Sequence, residues 1–162
     1  MTQAVSLTVD VQVACENPDI PSDAQVCEWI SRTVDAVGTL PPEGAEVSVR
    51  LVDTDEIRTL NRDYREKDKM TNVLSFPAGD IAGLPAEAPR ALGDIVICAE
   101  VVSEEAAAQG KLVADHWAHM LVHGTLHLLG YDHELDTEAV EMESLETRIL
   151  CGHGCPDPYP KS

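Results

Sequence analysis

Residues His123–His133 read HGTLHLLGYDH, and the rest of the chain is organised around them. His123 and His127 stand four residues apart, so on a helix they share one face about one turn from each other. Two imidazoles placed that way can point at a single cation. Gly130 lacks a Cβ and suits the left-handed turn that ends a helix. The chain can then double back and bring His133 in as a third ligand. Three neutral imidazoles with an open fourth position describe a catalytic zinc site rather than a closed structural one.

The same spacing, H-x-x-x-H-x-x-G-x-x-H, belongs to a large class of zinc proteases. Those enzymes carry Glu directly after the first His, as the base that activates the attacking water. Here that position is Gly124. The arrangement of a metal hydrolase is present without the usual protease base.

Three other segments carry the pattern outward: NRDYREKDKMTNVLSFP at 61–77, LGDIVI at 92–97 and HWAHMLVHG at 116–124. Together with HGTLHLLGYDH, in this order, they make the chain resemble the YbeY family of metal-dependent endoribonucleases over about residues 5–150. The family often has Thr-Asp before Val-Leu-Ser-Phe, whereas this chain has Thr71-Asn72.

The resemblance implies a single-strand-specific endoribonuclease. Its expected task is maturation of the 3′ end of 16S ribosomal RNA, together with ribosome quality control. The implied partners are single-stranded RNA, ribosomal RNA and components of the small ribosomal subunit. His123, His127 and His133 would hold one Zn2+ per chain; Ni2+ or another divalent metal also suits three imidazoles. A cation there would acidify a water and polarise a phosphoryl oxygen. Arg65 falls on the arginine of the family's Leu-Asn-x-x-Tyr-Arg run, here Leu60–Arg65, and is the expected catalytic guanidinium. A guanidinium meets the extra charge on pentacovalent phosphorus with two parallel hydrogen bonds. Whether water or the substrate's own 2′-hydroxyl attacks is left open by the sequence. Asp132, beside His133, is either a base or a group that orients its neighbour. Two rival readings are a metalloprotease and a non-catalytic ribosome assembly factor with a structural metal.

Composition sets the outer bounds. With 162 residues, 44% of them hydrophobic, the chain fits one domain with its own core. No apolar run approaches the roughly 18 residues of a membrane span, and the start MTQAVSLTVDVQV has no basic region followed by an apolar one. A cytoplasmic protein without membrane partners is expected. Five cysteines without a C-x-x-C pair argue for reduced thiols.

The net charge of −18 speaks against a general nucleic-acid binder. Yet six of the eleven Lys and Arg residues lie between Arg50 and Lys69: Arg50, Arg58, Arg62, Arg65, Lys67 and Lys69. On an acidic chain this island, with Arg58, Arg62, Lys67 and Lys69 as its expected phosphate contacts, is a candidate RNA-binding surface.

Local patterning predicts an α+β fold. Val5 to Val13 alternate as a strand. Ser22 and Gln25 form a capping box for a helix that carries Val26, Ile30, Val34 and Val37 and runs to Gly38. A turn at Pro41–Gly44 leads to a second strand with Val47, Val49 and Leu51. Asp53 or Thr54 caps a helix with Ile57, Leu60 and Tyr64 on its inner face. Val73–Phe76 is a short strand, 78–91 a mobile loop and Ile95–Cys98 a buried strand. Helices follow over Glu100–Gln109, Leu112–Leu129 and Asp136–Leu150. The prediction is therefore one domain over 1–150, a small mixed sheet of about four strands packed against about five helices, with a flexible tail at 151–162.

His116 and His119 share the face of His123 and His127; a second metal is one reading of this stripe, and the favoured one is core groups, with His119 orienting a ligand. Glu138, Glu141, Glu143 and Glu146 are expected on a solvated face. The tail sequence CGHGC, with Cys151, His153 and Cys155, is either a soft-metal trap or plain flexible chain.

Overall fold

The computed structural model describes residues 7–37, 44–67, 69–77, 90–131 and 136–158. The expected turn at Pro41–Glu43, the bulk of the 78–91 loop, and Asp132 and His133 lie outside these residues.

Strand β1 (Leu7–Ala14) leads into helix α1 (Asp23–Val37) and strand β2 (Ala45–Val52). Helix α2 (Thr54–Arg65), strand β3 (Val73–Pro77) and strand β4 (Arg90–Cys98) follow. Helices α3 (Ala99–Gln109), α4 (Val113–Leu128) and α5 (Asp136–Gly152) complete the domain. The sheet order is β1-β2-β4-β3, with the first three strands parallel and β3 antiparallel at the edge. The expected mixed four-stranded sheet and five helices are all present.

Period-two alternation splits the sheet into two faces. Val47, Val49 and Leu51 of β2 join Ile95 and Ile97 of β4 under α1 and α4. Val52, Val96 and Cys98 point the other way, toward Ile57 of α2 and Leu74 of β3. Each such aliphatic side chain contributes about 1.5–3 kcal/mol when fully buried. A third cluster, with Val122, Leu126, Met142 and Ile149, joins α4 to α5.

Helix α4 is thus covered by the sheet on one side and by α5 on the other, and this explains its nearly continuous apolar sequence. Its end follows the pattern expected at Gly130. That residue has φ 100°, its N–H donates to the His127 carbonyl, and the Tyr131 N–H donates to the Leu126 carbonyl. This pair of bonds is a Schellman closure, which a residue with a Cβ forms only under strain. The capping box of α1 is equally clear: the Ser22 N–H donates to Gln25 Oε1 at 2.9 Å and the Gln25 N–H to Ser22 Oγ at 3.2 Å. Asp53 caps α2 by accepting the Glu56 N–H.

Three expectations about local structure need correction. Spacing from Ile57 and Leu60 puts Tyr64 on the inner face of α2, but it is 68% exposed. Its ring meets the edge-strand residue Phe76 edge-on instead of entering the core. Arg90 and Ala91, expected in the loop, begin β4. The glycine two residues later, Gly93, holds that strand against β3. It has φ 141°, and a Cβ there would stand 2.3 Å from the Phe76 carbonyl oxygen. Finally, α5 continues through Cys151 to Gly152, two residues beyond its expected end.

Candidate metal centre and RNA cleft

Four histidines of α4 form a stripe along one side of the helix, at 116, 119, 123 and 127, and acidic groups from the flanking helices meet it. At the inner end, His116 Nε2 lies 2.9 Å from Glu105 Oε1 of α3. Burial, partly offset by Glu105, lowers the pKa of His116. At the outer end, His123 and His127 are half-buried and reach the surface.

The decisive group is Glu146 of α5. Sequence patterning places it on a solvated face, but its side chain is fully buried. One carboxylate oxygen accepts from His123 Nδ1, and the other lies 3.6 Å from His119 Nε2. Glu138, Glu141 and Glu143 are exposed as expected. Glu146 differs because it sits one turn after Met142 and one turn before Leu150, on the apolar stripe of α5. A carboxylate on an apolar stripe needs a buried partner, and that was the available signal.

An ionised carboxylate can only accept, so its bond fixes the proton of His123 on Nδ1. The lone pair of Nε2 is then directed away from α5, toward His127, whose Nε2 stands 3.1 Å away. Two nitrogens bound to one tetrahedral zinc at 2.0–2.1 Å are about 3.3 Å apart. The donors therefore fit a shared divalent cation. His119, His123 and Glu146 also place one ligand atom each within 4.8 Å of one another, a group that could hold a metal ion. The orientation of His123 favours Glu146 as the partner that aims the imidazole.

The two imidazoles open into a cleft of about 710 Å³. Its walls include Arg65, Lys67 and Lys69 from the end of α2 and the segment after it, together with Asn72 and Ser75. Half of the basic island thus faces the histidines. Arg58 and Arg62 are exposed on α2 and are not among the residues lining the cleft; Arg62 Nε meets Asp63 at 3.2 Å. Arg50 is turned to the opposite side, where Glu56 at 3.1 Å and Gln12 at 3.0 Å engage it.

Arg65 is held in place by its Nη2, which donates to the Ser75 carbonyl at 2.9 Å. Ser75 Oγ in turn donates to the Gly124 carbonyl at 3.1 Å. A chain of two hydrogen bonds therefore ties the guanidinium to the histidine helix. Gly124 itself packs against the sheet, where a Cβ would stand 2.9 Å from Ile95 Cγ2. Asn72 bridges to Glu105 at 3.1 Å and so joins the cleft wall to the inner end of the histidine stripe.

The tail cysteines are separated from this centre. Cys151 is exposed, and the His153 ring lies edge-on to Trp29 at 6.0 Å. Burial, reinforced by Asp115, pushes the Cys155 thiol up to about 11, so it is not a ready-made thiolate at neutral pH.

The family model for Endoribonuclease YbeY matches residues 12–154. The chain belongs to the YbeY endoribonuclease family. It is 58% identical over 139 residues to Endoribonuclease YbeY of Halorhodospira halophila, covering 86% of this chain and 88% of that protein. It is 52% identical over 153 residues to the Alcanivorax borkumensis protein of the same name, covering 94% and 86%. Among solved structures, a solution structure from Thermotoga maritima aligns with a TM-score of 0.53 and 25% identity, covering 93% of this chain and 99% of that one.

Proposed function

We propose that this YbeY-family endoribonuclease cuts single-stranded RNA in the cleft shared by His123, His127 and Arg65. The observation that carries the reading is the convergence on one cleft of two facing imidazole nitrogens and three cationic side chains. His123 and His127, joined by His133, would hold one divalent cation, with zinc the best match to three imidazoles and nickel a second. When bound, such a cation would supply Lewis-acid polarisation of a phosphoryl oxygen and acidification of water. Glu146 keeps the proton of His123 on Nδ1. Arg65, anchored on Ser75, places a guanidinium where the phosphoryl group gathers negative charge. Lys67 and Lys69 draw the RNA backbone into the cleft against the repulsion of an acidic chain.

Within this reading the substrate is ribosomal RNA, with the 3′ end of 16S RNA the principal site and ribosome quality control a second use. Small-subunit components are the partners and the cytoplasm the place of action. No helix among the described residues is long and apolar enough to cross a membrane. The packing of Gly124 against Ile95 weighs against the protease alternative, because the position of the usual base faces the sheet.

The test pairs elemental analysis with cleavage of a single-stranded RNA oligonucleotide by wild type and His127→Ala. One metal per chain, with metal and cleavage lost together in the variant, is the expected result. Metal retained by His127→Ala, or casein cut in preference to RNA, would overturn the assignment.

A further inference from the structure

The end of α2 separates two concavities. Arg65, Ser75 and Pro77 face the histidine cleft, while their neighbours Tyr64 and Phe76 line a groove of about 400 Å³ on the other side. The Tyr64 ring meets Phe76 edge-on, with centroids 5.5 Å apart. The Arg65 guanidinium carbon lies 6.0 Å from the Phe76 centroid. An aromatic side chain that is 68% exposed, fixed by a second ring and set beside an anchored guanidinium, forms a flat platform with a cation at its edge.

The charge of the groove selects what can lie there. Its one arginine, Arg50, is engaged by Glu56 and Gln12, and Asp94 adds an exposed carboxylate. A phosphate would meet no surplus positive charge in the groove, whereas a neutral aromatic ring meets two rings and the amide and hydroxyl of Gln12 and Ser48. We propose that this groove is a nucleobase subsite, in which Tyr64 stacks one unpaired base of the RNA strand whose phosphate rests on Arg65. The proposal rests on the single-stranded RNA reading above and extends it. Stacking of bases on aromatic side chains beside a cationic track is how proteins hold single strands without reading a sequence.

The test is fluorescence anisotropy with a labelled single-stranded oligoribonucleotide, its integrity checked on a denaturing gel after each titration, and a set of copies with one abasic position moved along the strand. For wild type, one abasic position should weaken binding about tenfold. Tyr64→Ala should bind the intact strand about tenfold more weakly and be indifferent to that abasic position. Tyr64→Trp should restore both properties, and Tyr64→Leu, which keeps apolar bulk without a flat ring, should not. Wild-type affinity in Tyr64→Ala, or persistence of its sensitivity at the same position, would overturn the subsite. Binding that requires Lys69 but ignores Tyr64 overturns the subsite alone; absence of saturable binding by wild type overturns the RNA reading as well.

Discussion

Glu146 and His123 are 23 residues apart in sequence and meet through a buried carboxylate–imidazole hydrogen bond, which turns the opposite ring nitrogen toward His127. The bond accounts for the charge inside the α4–α5 interface. It also predicts that metal affinity depends on a residue outside the histidine motif. Loss of such a partner typically weakens metal binding 10–100-fold. Glu146→Gln keeps an acceptor for Nδ1 and should bind metal about tenfold more weakly, while Glu146→Ala should approach a hundredfold loss. Chelator competition measures both, with circular dichroism as the check on fold. Unchanged affinity in both variants would sink the assignment. If Glu146 and His119 were ligands themselves, His127→Ala would keep its metal.

Arg65→Ala should lower the cleavage rate by about 10²–10³-fold while elemental analysis still finds metal, because the guanidinium acts on charge that develops during the reaction. Arg65→Lys should rescue little, since a point charge cannot make the paired hydrogen bonds of the planar fork. Full activity in Arg65→Ala would remove the role assigned to it.

How much of this was legible in the sequence follows from the range of each signal. The His123–His127 pair, the Gly130 closure and the two N-caps depend on neighbours three to five residues away, and sequence spacing states them directly. Tyr64 and Glu146 depend on what packs across from them. Helical spacing turns Tyr64 inward, because nothing in α2 records which of its residues the core covers. Among the four glutamates on α5, the place of Glu146 between Met142 and Leu150 hints at burial, but the imidazoles that it meets come from α4 and are not written in α5. The bond between Arg65 and Ser75 joins a helix to a strand edge, a relationship that no local pattern encodes.

Gly124→Ala tests the packing that excludes a protease base. The new methyl would meet Ile95 Cγ2 at 2.9 Å and Ser75 Oγ at 3.3 Å. Overpacking of this kind costs about 1–3 kcal/mol, against roughly 1 kcal/mol gained from better helix propensity. A net loss on the order of 1 kcal/mol in urea unfolding is expected. Cleavage should fall further than stability accounts for, because Ser75 also anchors Arg65. A stabilised, fully active variant would contradict the close approach.

The two halves of the basic island should separate in salt titrations of RNA binding. Lys67 and Lys69 line the cleft, so replacing either with Ala should reduce the slope of log affinity against log salt by about 0.7 for each phosphate no longer neutralised. Arg62, paired with Asp63 away from the cleft lining, should leave the slope nearly unchanged when replaced. Equal effects at all three positions would mean that the strand follows the outer side of α2.

His116 gives the fold an acid-sensitive element. Burial is the larger influence on its imidazole and lowers its pKa below the ordinary 6.5, with Glu105 opposing. Below pH 6.5 the unfolded chain therefore takes up a proton that the folded chain refuses. Stability from this residue is complete above pH 6.5 and is lost as the pH falls toward the folded-state value. Replacing His116 with Gln offers Glu105 an amide donor that does not titrate. Urea unfolding at pH 7.5, 6.5 and 5.5, with chelator present so that metal release is common to both proteins, should show a shallower acid loss in His116→Gln. Parallel curves would mean that Glu105 cancels the effect of burial, and a steeper acid loss in His116→Gln that it outweighs it.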